Sequence, residues 1–293
     1  MAITASQVKE LRDKTGLGMM VCKQALIDSE GNMELAIENL RKQGQATAAK
    51  RAGKAAKEGK VSIISDDSTS ILYEMNSETD FVARNEDFID FIAKLGKVLI
   101  TKKPADLKEA LQISSPELGN TTIENRVTEL IGKIGENISF RRYLKMDCDP
   151  SSEKIFSYIH GDGKIGVLVK LSLEKSDNLS SETLERLGKD LAMQVAAAKP
   201  MAVDRDRISD EVIAKEKEIY FTQAQQSGKP EKIWDKIVEG KLGKFFQEVT
   251  LMEQGFIKNP ELNVIKRVAE TEKEIGSSIK VLSFARFELG AEG

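Results

Sequence analysis

The chain has 293 residues, 40% of them apolar and 31% charged, with a formal net charge of −3. That length accommodates about two domains at roughly 100–200 residues each, and the composition is that of an ordinary globular protein. The charge gives no global attraction to nucleic acid or an anionic membrane, and 5% aromatics is too little for a base-stacking surface to be expected.

The opening MAITASQVKEL has no apolar leader core, and no apolar run approaches the ~18 residues of a membrane span. Cys22 and Cys148 stand far apart and imply neither a disulfide framework nor a metal knot. A cytoplasmic chain in a reducing compartment is expected. Thr4 and Gln7 then form a capping-box pattern, with Val8 and Leu11 on the apolar face of a helix that stops before Gly16. A second helix is expected from about Met19 through Ala25 and Leu26 to Gly31. A third, capped by Asn32, carries Leu35, Ile37 and Leu40 and ends at Gly44. Together they make a compact bundle near the lower size limit for independent folding. The loop TGLGMM places Met19 and Met20 either in the bundle core or on a soft apolar patch for a partner, methionine being adaptable in shape. Residues 41–60 carry Arg41, Lys42, Lys50, Arg51, Lys54, Lys57 and Lys60 against the single acid Glu58. Such a run can bind a phosphate backbone, but the surrounding Ala and Gly favour a solvated linker.

From Val61 the pattern changes to strands. VSIIS and ILYEM flank the polar cluster DDSTS, which reads as a hairpin. SETDFVARN (Ser77 to Asn85) follows, with Phe81 either stapled to the core or displayed for a partner. A helix capped by Asn85 turns Phe88, Phe91, Ile92, Leu95 and Leu99 inward. After a loop with Pro104 and Pro116, a helix around Ile123–Ile134 leads to the strand NISFRRYLKM. The second half repeats the order: KIFSYIH and IGVLVKLSL around GDGK, a helix from about Ser181 to Lys199, and the closing strand KVLSFARFEL. SFRRY (Ser139 to Tyr143) and SFARF (Ser283 to Phe287) close the two units, and each small sheet is expected to bury one face on its helices.

The second unit carries an insertion in which Ile213, Ile219, Tyr220 and Ala224 rise along one helix and Ile233, Ile237, Leu242, Phe245 and Val249 descend another after the turn SGKP. Trp234 near the tip either packs on the first helix or docks a partner. The whole reads as α+β: a three-helix unit at 1–45, a basic linker at 46–60, core units at 61–145 and at 146–208 with 261–293, and an inserted antiparallel helical hairpin at 209–260. Reaction chemistry is not apparent. GDGKIG (Gly161 to Gly166) matches a dinucleotide fingerprint, but a strand and not a helix follows it, so the glycines suit a hairpin turn. His160 is the sole histidine, the carboxylates scatter along helix faces, and neither nucleophile motif nor metal-ligand spacing occurs. The expectation is a protein that works through surfaces, not an enzyme, and without cofactor or metal.

Two stretches, LRDKTGLGMMVCKQAL (Leu11 to Leu26) and EMNSETDFVARN (Glu74 to Asn85), resemble signatures of the bacterial elongation factor Ts family. AIENLRK, KIGENI, YIHGDGKIGVLV, QSGKP, VEGK and the terminal FARFELG add weaker support, in the same order along the chain. The resemblance implies a ubiquitin-associated-like three-helix domain, a linker, a two-part α+β core and an inserted coiled-coil hairpin. It implies exchange of guanine nucleotide on elongation factor Tu, a GTPase, in translation elongation, with no direct contact to nucleic acid or membrane. In that family the Thr-Asp-Phe-Val stretch inserts between helices of the partner's nucleotide-binding domain. Thr79, Asp80, Phe81 and Val82 are therefore the implied partner contacts, with Arg12, Met19 and Met20 on the first unit. A homodimer and a 2:2 complex with the partner both stay open. Gln194 stands where many members have histidine, and the chain ends at Gly293 where some members continue into a helical module that reaches the partner. The rival readings are an RNA- or ribosome-binding accessory protein using the basic linker, and a metabolic enzyme using GDGKIG.

Overall fold

Thr4 and Gln7 cap one another: the Gln7 N–H donates to Thr4 Oγ1 at 3.2 Å and the Thr4 N–H to Gln7 Oε1 at 3.0 Å. From this start the structure, a computed structural model, describes residues 3–291. Met1, Ala2, Glu292 and Gly293, and with them the expected chain end, lie outside the described residues. Helix α1 (Ala5–Thr15) stops at Gly16 in the left-handed conformation, and α2 (Met19–Asp28) and α3 (Met33–Arg51) follow. The three close on Val8, Leu11, Cys22, Leu26, Ala36 and Leu40.

The strands β1 (Glu58–Ser65) and β2 (Thr69–Ser77) form the hairpin, and a one-turn helix α4 (Asp80–Ala83) leads into α5 (Glu86–Lys102). The proline-bearing loop holds a short helix α6 (Leu107–Gln112) and a ribbon of β3 (Ser114–Ser115) with β4 (Thr121–Thr122). Helix α7 (Ile123–Ile134) and strand β5 (Ile138–Asp147) complete the first half. The second half runs β6 (Glu153–His160), β7 (Ile165–Leu173), α8 (Glu182–Ala198), α9 (Asp210–Gln226) and α10 (Trp234–Val249). It ends with the ribbon β8 (Gly255–Phe256) and β9 (Asn259–Asn263), helix α11 (Val264–Ile275) and strand β10 (Ile279–Glu288). Two three-stranded antiparallel sheets result, ordered β1-β2-β5 and β10-β7-β6, in a mixed α+β protein. The repeat reaches beyond the strands. Both α5 and α8 end on a left-handed lysine, Lys103 or Lys199, whose N–H returns to Leu99 O or Val195 O before a proline forbids further helix.

Each sheet packs one face on its own helices, and the opposite faces also meet, which the one-face reading does not foresee. Val61, Leu72, Leu168 and Ala285 fill the space between the sheets. Gly166 permits that approach: a Cβ there would fall 2.5 Å from Val61 Cγ1 and 2.7 Å from Leu72 Cδ1. The GDGK stretch is the β6–β7 turn, with His160 paired to Ile165 and Gly161, Asp162 and Gly163 at positive φ. Of the 209–260 stretch, α9 and α10 form the inserted pair, joined by the turn at Ser227 and tied by Trp234 packing edge-on to Phe221 with centroids 5.9 Å apart. Its last residues belong to the body, because Leu251 and Phe256 are buried in the second core and Thr250 bridges Ala202. Among the described residues, no helix is long and apolar enough to cross a membrane.

Helix α3 does not end at Gly44 but continues to Arg51, so residues 46–51 of the expected linker are helical. Four of the basic side chains from 41 to 60 face acids: Arg41 to Glu129, Lys42 to Glu38, Arg51 to Glu78 and Lys60 to Asp162. Gly44 is a contact and not a stop, for α3 crosses α7 there. A Cβ on Gly132 would lie 2.7 Å from Gly44 Cα, whereas a Cβ on Gly44 would lie at an ordinary 3.8 Å from Gly132 Cα. The two alanine substitutions therefore differ in sign. Gly132→Ala forces the helices apart and lowers unfolding stability by about 1–3 kcal/mol. Gly44→Ala gains helix propensity and is neutral to stabilising by up to about 1 kcal/mol. Denaturant unfolding followed by circular dichroism separates them, and equal stabilities would show that the helices do not meet at these glycines.

Candidate functional site

Strand β2 ends at Ser77 on the rim of the first sheet, and the chain must turn there before α5 can begin. Ser77 Oγ donates to Thr79 O at 2.9 Å, and Thr79 Oγ1 accepts the Val82 N–H at 3.4 Å as the cap of α4. Asn85 closes the turn by donating its N–H to Val82 O at 2.9 Å and accepts the Asp87 N–H at 2.9 Å to cap α5. Within α4 the periodicity sorts the side chains. Val82 and Ala83 are buried in the first core, and Phe81 points the other way with 79% of its surface exposed. Phe81 is the most exposed large apolar side chain among the described residues. The staple reading of Phe81 does not hold, since nothing of the core covers the ring.

The turn is held from outside its own segment. Glu136, between α7 and β5, accepts the Thr79 N–H at 3.0 Å on one carboxylate oxygen and the Thr79 hydroxyl at 2.8 Å on the other. Glu78 answers by accepting the Asn137 N–H at 2.6 Å, and Arg51 at the end of α3 stands 3.5 Å from the same carboxylate. Asn137 Nδ2 also donates to Lys54 O at 2.7 Å. Asp80 forms only a surface pair with Arg84 at 3.3 Å, an interaction worth about 0–1 kcal/mol. On the neighbouring β6–β7 turn, the Lys60 ammonium at 2.7 Å holds the Asp162 carboxyl below its ordinary pKa.

The other expected contacts lie on the first three helices. Arg12 is exposed on α1, and Met19 and Met20 at the start of α2 are 54% and 74% exposed, so neither methionine is in the bundle core. Val21, next in the chain, and Leu35 on α3 are exposed as well, which leaves the bundle with apolar surface that its own core does not use. Gln194, by contrast, is fully buried in α8. Its amide donates to Gln254 Oε1 and Gly255 O, both at 3.1 Å, and accepts the Ile257 N–H at 2.8 Å, so it anchors β8 to the core. Glu136 is the residue that local reading misses, because its partner lies 57 positions away. Its only sequence signal is its place in KIGENI.

Fold and turn together make an α+β protein that displays an exposed aromatic side chain on a hydrogen-bonded turn. A profile of the family described as Elongation factor TS matches residues 78–291. The chain is similar to elongation factor Ts of Syntrophotalea carbinolica, 47% identical over 290 residues that cover 99% of this chain and 94% of the relative. It is 45% identical over 290 residues to elongation factor Ts of Clostridium novyi, covering 98% and 93%, and 46% identical over 290 residues to that of Clostridioides difficile, with the same coverage. The chain belongs to the elongation factor Ts family of translation elongation factors.

The burial pattern fixes opposite outcomes for adjacent residues. Phe81→Ala leaves the melting temperature within roughly 2 °C, since exposed substitutions stay within about 0.5 kcal/mol. Val82→Ala loses about 2 kcal/mol and several degrees. Differential scanning calorimetry reads both, and a fall of many degrees for Phe81→Ala would place the ring in the core.

Proposed function

We propose that the chain is a guanine nucleotide exchange factor for elongation factor Tu, and that the Thr79–Val82 turn enters the partner. Phe81 carries this reading: an aromatic ring exposed on a turn whose backbone is anchored on both sides. A GTPase holds its nucleotide through backbone amides, a lysine and Mg²⁺. A ring driven between helices of that domain shifts the support of the metal's ligand shell, so metal and nucleotide loosen together. Because linkage is reciprocal, the factor binds the empty partner best and fresh GTP expels it. The factor supplies shape alone, with no base, metal or cofactor of its own.

The same reading makes the first three helices a ubiquitin-associated-like anchoring domain. Arg12 and the exposed Met19 and Met20 offer it a second contact, adaptable because thioether side chains fit irregular surfaces. Helices α9 and α10 form the antiparallel coiled-coil insertion, whose seam buries Ala224 and Leu242. An RNA-binding role for residues 41–60 is less well supported, since four of the basic side chains there already face carboxylates.

The test is release of a fluorescent GDP analogue from elongation factor Tu under excess GTP. The intact chain accelerates release at catalytic concentration. Phe81→Ala lowers that acceleration by about 30-fold, the equivalent of an aromatic interface anchor worth about 2 kcal/mol. No acceleration by the intact chain, or full acceleration by Phe81→Ala, would overturn the proposal.

A further inference from the structure

Helix α4 has four residues, too few to sustain itself, because the first helical turn fixes several residues for one hydrogen bond. Something outside must therefore set its direction. Burial of Val82 and Ala83 fixes which side of the turn faces inward but leaves the turn free to rock about that contact. Ser77 and Asn85 bond to the turn from within its own segment, and the restraint on it from outside is Glu136. Its two oxygens take both donors of Thr79, at 3.0 and 2.8 Å, a charge-assisted pair of bonds stronger than neutral ones. The second of these does more than hold Thr79. A hydroxyl has one proton and two lone pairs, so donating to Glu136 leaves Thr79 Oγ1 free to accept the Val82 N–H that caps α4. One carboxylate thus orients the cap, the cap orients the turn, and the turn aims Phe81.

We propose that Glu136 is a positioning residue for nucleotide exchange, one that never touches the partner's nucleotide and acts entirely through the pose of Phe81. The inference rests on the reading of Phe81 as the element that enters the partner. The crossed arrangement supports it. Glu78, next to Thr79, accepts the backbone N–H of Asn137, next to Glu136, so one carboxylate in each segment holds the other segment's backbone. Arg51 at the end of α3 and Lys54 just beyond it join the same network through Glu78 and Asn137. A ring that must push helices apart transmits force only if its own support does not yield. A loosened turn must instead be ordered during insertion, which slows the step and leaves initial docking nearly unchanged.

The experiment is a double-mutant cycle on the GDP-release assay with the full chain. Its variants are Glu136→Ala, Glu136→Gln, Phe81→Ala and the pair Glu136→Ala with Phe81→Ala. Glu136→Ala is expected to lower kcat about tenfold with KM within about twofold. Glu136→Gln, which keeps the shape and one acceptor oxygen, recovers part of that loss. In the Phe81→Ala background, Glu136→Ala changes nothing further, because a residue that acts through the ring has no effect once the ring is gone. In the free chain, amide hydrogen exchange over residues 77–84 rises on Glu136→Ala. Parental kcat for Glu136→Ala, or losses that add in the double variant, would overturn the positioning role while leaving the role of Phe81 intact. Parental exchange by Phe81→Ala would overturn both.

Discussion

Strand β2 is buried along its whole length, and that double burial is the constraint on which the rest of the molecule depends. Ile71, Tyr73 and Met75 face the helices of the first half, while Leu72 faces the second sheet. Glu74 lies on the side of Leu72 with no exposed surface, in a place where an unpaired charge would be prohibitive. Arg142 on the adjacent strand donates Nε to it at 2.7 Å, the Gly290 N–H reaches it at 2.9 Å, and Asn76 Nδ2 at 2.9 Å. The same guanidinium donates to Glu288 O at 2.7 Å and stacks over the Phe287 ring at 4.3 Å. A charge carried by the first half is thus satisfied in part by the turn just after the last strand of the second half. Breaking such a pair by removing one member typically costs about 3–5 kcal/mol. The two halves share one buried charge network, at the strand whose end at Ser77 leads into the turn that carries Phe81.

The two halves repeat one arrangement and differ at their junctions. In both halves the central strand of a three-stranded sheet leads into a long helix that ends on a left-handed lysine before a proline. The junctions differ. From β2 to α5 the chain makes the anchored turn of α4, with Phe81 outward. From β7 to α8 it makes a 3-10 turn at Ser176–Asn178, which displays no aromatic ring. The second half uses its freedom elsewhere, by inserting α9 and α10 between α8 and the β8–β9 ribbon.

Features set by near neighbours are legible in the sequence. The Thr4 capping box, the Asn32 and Asn85 caps and the β6–β7 turn follow from side-chain chemistry within a few residues, and spacing locates them correctly. Gly44 shows the limit. A glycine in a helical pattern reads as a stop, whereas its meaning here comes from Gly132, which only the tertiary fold brings against it. Met19, Met20 and Phe81 share that ambiguity, since apolar spacing alone cannot tell a core face from a displayed one. The closing of the two sheets on each other also escapes, because β2 alternates apolar residues with Glu74 and Asn76, which read as solvent-facing until Arg142 and Gly290 arrive from afar. Glu136 escapes for the same reason.

The central claim is that Phe81 carries the coupling between this chain and its partner's nucleotide, beyond adding to affinity. Binding constants for nucleotide-free and for GDP-loaded elongation factor Tu, measured by calorimetry with the parental chain and with Phe81→Ala, test it most directly. The parental chain should prefer the empty partner strongly, and Phe81→Ala should shrink that preference by about 30-fold, chiefly through weaker binding to the empty form. An unchanged ratio, with both affinities lowered alike, would mean that Phe81 is an ordinary contact and would contradict the account.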